Sequence, residues 1–269
     1  MKQLFHIENN NAGNEQQNLS LKLGERHGSF AVTDETGNEL YELSYCSAEG
    51  WGNSSLTDFF SSYPCLQRSF HKVKIAYDYP QAVLIPSAVH LPGETASLLK
   101  AMFGGVGGKN IISELIPEWQ LYNTYAVPTE VQKWLNNKFP SATYQHQYSL
   151  AIKNSGAIAA NGSLIVDFRT EDFTLLAIKN NRLLLTHAFE YSTPEDVLYH
   201  LLKACQQFLL SQKEVSLQLS GLVDKQSSLY KELYLYFINV EFRETNWNTG
   251  NEYPAHFFTS LNDLARCAS

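Results

Sequence analysis

One order of elements occurs twice in this chain, and that repetition limits the fold more than any single motif does. Leu19, Leu21 and Leu23 alternate with polar residues, Phe30 and Val32 follow a turn at Gly28, and Leu40 to Tyr45 follows a second turn at Thr36-Gly37-Asn38. This reads as a three-stranded antiparallel meander. Ser54 or Ser55 can then cap a helix that has Leu56, Phe59, Phe60 and Tyr63 on one face, before Val73, Ile75 and Tyr77 alternate as a fourth strand. About 140 residues downstream the order returns. Ser163 to Phe168, Phe173 to Lys179 and Arg182 to Tyr191 read as three strands. Thr193 caps a helix with Pro194 at its first position and Asp196 three residues on, and Val215, Leu217 and Leu219 alternate as the fourth strand. Two copies of a strand-strand-strand-helix-strand unit predict two similar α/β domains.

The remaining segments set the expected boundaries. Residues 1–17 show no apolar periodicity and read as a leader. The first domain is placed at 18–140, including strand-like Ala82 to His90, a helix from Pro92 to Phe103, a Gly-rich turn, strand-like Gln120 to Val127 and a helix from Thr129 to Lys138. The second is placed at 141–247, opening with a strand from Ala142 to Ile152. Residues 248–269 then end in a helix, from Leu261 to about Ala268, that returns to the first domain.

Composition narrows the class. With 269 residues, 44% hydrophobic and 13% aromatic, the chain can bury a large core, so disorder is excluded as its overall state. Lys plus Arg 20 against Asp plus Glu 27 gives a net charge of −7, with no basic run, which argues against a grip on nucleic acid phosphates. No run approaches the roughly 18 apolar residues of a membrane helix, so a cytoplasmic protein without a transmembrane segment is expected. Cys46, Cys65, Cys205 and Cys267 form no CxxC pair and read as buried reduced thiols.

The duplicated unit resembles the ribonuclease H-like unit, and two in tandem resemble the actin-like ATPase superfamily, whose two domains face each other across a cleft. That resemblance implies an Asp-x-Gly in each first hairpin, where Gly lets backbone N–H groups reach phosphate and Asp orients the magnesium shell. Set in register by apolar residues, Leu19-Ser20-Leu21-Lys22-Leu23-Gly24 matches Leu164-Ile165-Val166-Asp167-Phe168-Arg169. The first hairpin keeps Gly24 but has Lys22 at the Asp position, and the second keeps Asp167 but has Arg169 at the Gly position. The superfamily's adenosine-side glycine pair would fall at Leu219-Ser220-Gly221-Leu222, where one glycine remains. Lys22, Gly24, Asp167, Arg169, Thr170 and Gly221 are therefore the candidate cleft residues.

Ala82 to Val89, Tyr125 to Pro128 and Phe257-Phe258 with the closing helix extend the likeness. They resemble an uncharacterised Bacteroidetes-type bacterial family of unknown function with the actin-like ATPase fold, over about Leu19 to Ala268.

Other chemistries fail on spacing. Phe103 to Asn110 lacks the first Gly and the final Ser or Thr of a phosphate loop, and also the last position of a dinucleotide fingerprint. Asp167, Glu195 or Asp196, and Asp224 lie roughly where a ribonuclease H-like nuclease holds metals, but acids at 195 and 196 are the usual residues of a helix first turn. No HExxH and no Gly-x-Ser-x-Gly occurs. The expectation is a degenerate actin-like fold acting as a non-catalytic scaffold or partner-binding module, with a protein partner, no catalytic residues, no metal site and no cofactor. The alternative is an ATPase or phosphotransferase that takes ATP and magnesium in the interdomain cleft, through Gly24, Asp167, Thr170 and Gly221.

Overall fold

The computed structural model describes residues 1–9, 16–156, 159–249 and 253–267. In chain order, its first part contains β1 (Lys2–Glu8), β2 (Asn18–Gly24), β3 (His27–Thr33), β4 (Leu40–Ser47), α1 (Asn53–Ser62), β5 (Lys72–Asp78) and β6 (Ala82–Pro86). These are followed by α2 (Thr95–Phe103), β7 (Lys109–Ile116), β8 (Leu121–Pro128), α3 (Thr129–Lys138), β9 (Thr143–His146) and α4 (Gln147–Lys153). The second part contains β10 (Ser163–Phe168), β11 (Asp172–Lys179), β12 (Arg182–Glu190), α5 (Pro194–Phe208), β13 (Ser216–Gly221), α6 (Ser228–Tyr236), β14 (Asn239–Phe242) and α7 (Thr259–Arg266). Two compact units result, Met1–Leu150 with Leu261–Ser269, and Ala151–Ser260.

Each unit is built on one sheet of the same design. In the first, the strand order is β1-β4-β3-β2-β5-β9, with β2, β3 and β4 antiparallel and β2, β5 and β9 parallel. In the second it is β12-β11-β10-β13-β14 with the same directions. Two tandem ribonuclease H-like units are thus present. Every residue of the central strand β2 is buried, so neither of its faces meets water. Leu56, Phe59 and Phe60 of α1 are buried, and the Phe60 ring lies 4.7 Å from Trp134 on α3. In α5, Thr193 and Asp196 form the reciprocal cap that their spacing predicts, and Val197, Leu198, Leu201 and Cys205 supply the buried stripe. The first helix begins one residue before Ser54, with Ser55 Oγ accepting from the Gly52 N–H at 2.8 Å.

Three segments depart from expectation. Lys2–Glu8, read as part of a leader, adds antiparallel to β4 as an edge strand with Ile7 buried, while residues 10–15 lie outside the described ones. The span Ala142 to Ile152 is a short strand and a helix. Tyr148, Leu150 and Ile152 alternate in sequence, yet α4 is buried nearly all round, so a period-2 pattern there carries no strand information. Because β9 completes the first sheet, the unit boundary falls after Leu150 and not near Pro140. The Gly-rich turn is followed by β7, which joins β6 and β8 in a separate antiparallel sheet of order β6-β8-β7. Most of α7 belongs to the first unit, where Lys74 Nζ donates to Ala265 O at 2.8 Å and Cys267 O at 2.6 Å.

Candidate functional site

Strand pairing puts the two first hairpins in one register. Lys22 lies between Ser29 and Ala76, and Asp167 between Thr174 and Ser220. The last pairs, Leu23 with Gly28 and Phe168 with Phe173, leave residues 24–27 and 169–172 as turns of equal length. Lys22 is therefore equivalent to Asp167, Gly24 to Arg169, and His27 to Asp172.

In the first hairpin Lys22 is 3% exposed. Its Nζ lies 3.1 Å from Asp78 Oδ2 at the end of β5, and both side chains are 4% exposed. His27 Nε2 also lies 3.1 Å from Asp78 Oδ2, within ion-pair distance though outside hydrogen-bond alignment. Its ring lies parallel to that of Tyr45 with centroids 5.9 Å apart. A buried carboxylate with a cation and an imidazole beside it satisfies the rule that interior charges are paired. The His27 ring also covers Gly24: a Cβ added to Gly24 would meet His27 Cε1 at 2.1 Å. The face by which a glycine admits a phosphate is occupied by a side chain of the same turn.

The second hairpin is closed differently. Arg169 is 4% exposed and folds back on its own turn. Its guanidinium pairs with Asp172, donates to Thr174 Oγ1 at 3.0 Å and lies 4.0 Å from Asp167 Oδ2. Asp167 Oδ1 accepts from Ser220 Oγ at 3.0 Å. Tyr191 Oη donates to Arg169 O at 2.9 Å, and burial, with Asp172 nearby, raises that phenol above its usual range. Thr170 at the turn tip is exposed.

Gly221 has a reason of its own to be glycine. Its φ is +77°, and a Cβ there would meet Phe168 O at 2.1 Å and Phe168 N at 2.6 Å. Close approach of β10 and β13 demands this residue whether or not a ligand binds.

Asp167, Arg169 and Gly221 thus gather at one end of the second sheet, and Lys22 and Gly24 at the corresponding end of the first. Asp78, His27 and Asp172 belong to the same clusters and escape a motif search. Their signal is positional: Asp78 pairs with Gly24 across β2 and β5, and His27 and Asp172 each close their hairpin. These residues do not fit a magnesium nucleotide. One hairpin has a cation at the metal-orienting position, and the other has a long side chain at the phosphate-approach position.

The remaining candidates have structural roles. Gly104 (φ +78°) ends α2, with its N–H donating to Lys100 O at 3.0 Å, and Lys109 Nζ donates to Gln81 Oε1 at 2.9 Å. Glu195 and Asp196 form the first turn of α5, and Asp224 Oδ1 accepts from the Gln226 N–H. Among the described residues no group of three or more His, Cys, Asp or Glu could hold a metal ion, and no helix is long and apolar enough to cross a membrane.

Solved structures share this architecture. A Bacteroides thetaiotaomicron protein with an actin-like ATPase fold and unknown function aligns over 94% of this chain and 97% of its own, at 18% identity and a TM-score of 0.76. A PilM-PilN type IV pilus biogenesis complex aligns over 92% of this chain and 97% of that one, at 11% identity and a TM-score of 0.59. No curated protein matches. The fold is the actin-like ATPase fold, and because the family model described as a protein of unknown function (DUF3822) matches residues 7–240, the chain belongs to that family.

Proposed function

We propose that this protein is a degenerate member of the actin-like fold that works by binding a protein partner and not by turning over nucleotide. The observation that carries this reading is the filling of both hairpin turns by the chain's own side chains: His27 over Gly24, and Arg169 folded against Asp172. A phosphate at either turn would have to displace a buried side chain, and at the second turn it would also part Arg169 from Asp172. The same fold occurs in a PilM-PilN type IV pilus biogenesis complex, and its place in an assembly of proteins there supports a partner-binding role for this chain.

A thermal-shift measurement with and without magnesium ATP tests the proposal. A ligand bound only to the folded state at 100 times its Kd adds about 2.7 kcal/mol, which moves the midpoint by several degrees. No magnesium-dependent shift is expected. A magnesium-dependent shift accompanied by phosphate release would establish the ATPase or phosphotransferase reading, with Gly24, Asp167, Thr170 and Gly221 as the residues to test next.

A further inference from the structure

Away from the hairpins, the first unit contains a cavity of about 490 Å³ between the segment leading into β5 and the connection from α3 to β9. Arg68, Lys72, Lys74 and Lys138 line it together with His71, and among the described residues no Asp or Glu does. Four of the chain's 20 Lys and Arg residues therefore surround one cavity in a protein of net charge −7. Like charges gathered together repel. Burial, the larger effect, and Lys72 both lower the Lys74 pKa, although the nearby Cys267 raises it.

Two of the cations are held in place. Lys74 is 9% exposed, and its ammonium donates to Ala265 O and Cys267 O, two of the three hydrogen bonds it can give. The Lys138 ammonium sits 5.1 Å from the Phe60 ring centroid and 5.7 Å from that of Phe139. Arg68, His71 and Lys72 are exposed and can close over a ligand. Helix capping accounts for Lys74, and the helix C-terminus for Lys138. Neither explains why Arg68 and Lys72 line the same space with no acid among the described lining residues. Phe70 and Phe139 add apolar surface to the wall, and the volume lies in the range of small-molecule sites.

We propose that this cavity binds a small phosphorylated molecule, its phosphate or pyrophosphate taken by Arg68, Lys72 and Lys74 and its organic part resting on Phe70 and Phe139. A basic cluster of this kind favours a multiply charged anion, because each phosphate oxygen can accept a charge-assisted hydrogen bond from a different donor. The site is separate from the hairpins and requires no magnesium.

The test is calorimetric titration of the full chain with pyrophosphate, and then with AMP, in EDTA. The Arg68→Gln/Lys72→Gln double variant changes only exposed side chains and should keep the wild-type urea midpoint. Saturable binding is expected to wild type, weakened about tenfold or more in the variant and by raising salt from about 50 to 200 mM. Arg68→Lys with Lys72 intact should retain most of it. If wild type shows no saturable heat, or the double variant binds equally well, the assignment is overturned. It is equally overturned if a single-stranded oligonucleotide of about a dozen residues binds more tightly than pyrophosphate, since the cavity would then be part of a nucleic-acid groove. EDTA keeps the result distinct from any magnesium nucleotide at the hairpins.

Discussion

Gly221→Ala separates a structural glycine from a ligand-contacting one. At φ +77° an L side chain costs about 1–2 kcal/mol. The added Cβ also lies 2.1 Å from Phe168 O and 2.6 Å from Phe168 N, and both are backbone atoms that cannot rotate away. Moving β10 and β13 apart at that end is an overpacking strain of about 1–3 kcal/mol, so the expected total loss is about 2–5 kcal/mol. Trp247 lies in the second unit while Trp51, Trp119 and Trp134 lie in the first, so bulk tryptophan fluorescence would mix the two. Hydrogen exchange of β10 and β13 peptides resolves the second unit alone, and a loss of this size accelerates globally protected amides roughly thirtyfold or more. Gly105→Ala, where a Cβ meets nothing within 4 Å, is the control and should exchange like wild type. Exchange in Gly221→Ala within about threefold of wild type would show that strand packing does not require the glycine, since one kept only for nucleotide approach leaves the ligand-free protein unaffected.

Burial lowers the pKa of His187, His200 and His256 below the ordinary histidine value, in His256 despite the bond between its Nε2 and Val223 O. A depressed folded-state pKa gives stability that is complete above the unfolded value of about 6.5 and is lost as pH falls through the folded values. The urea midpoint should therefore drop between about pH 7 and 5.5, with a smaller drop in His187→Gln/His200→Gln; a midpoint that rises on acidification, or an unchanged slope in the variant, counts against this. Lys74→Met removes the donors to Ala265 O and Cys267 O, a loss of about 1–3 kcal/mol. Amides of α7 should exchange several-fold faster while those of β10 and β13 do not change, and an unaltered α7 would contradict the capping role.

The repeated order of elements was readable because each copy alternates cleanly and is punctuated by its own turns and cap, as at Thr193-Pro194 with Asp196. Setting Leu19 to Gly24 against Leu164 to Arg169 by apolar residues alone gives the register that pairing with β3 and β11 also gives. What stayed hidden depends on distant partners. The edge strand β1 finds β4 about 40 residues away, and α4 is too deeply buried to show a helical period. At the hairpins, sequence located the half-motifs but not what fills them. Asp78 reaches Lys22 because two parallel strands end together, and His27 covers Gly24 because of the path of a four-residue turn. Neither follows from spacing in one segment.

On the proposed function the hairpins do not take a magnesium nucleotide. Titration of the Arg68→Gln/Lys72→Gln protein with a non-hydrolysable ATP analogue, with magnesium and again with EDTA, tests it without interference from the basic cavity. No saturable magnesium-dependent heat is expected up to about 1 mM ligand, a limit equivalent to roughly 4 kcal/mol of binding free energy. Saturable binding that requires magnesium and disappears in Asp167→Asn would contradict it.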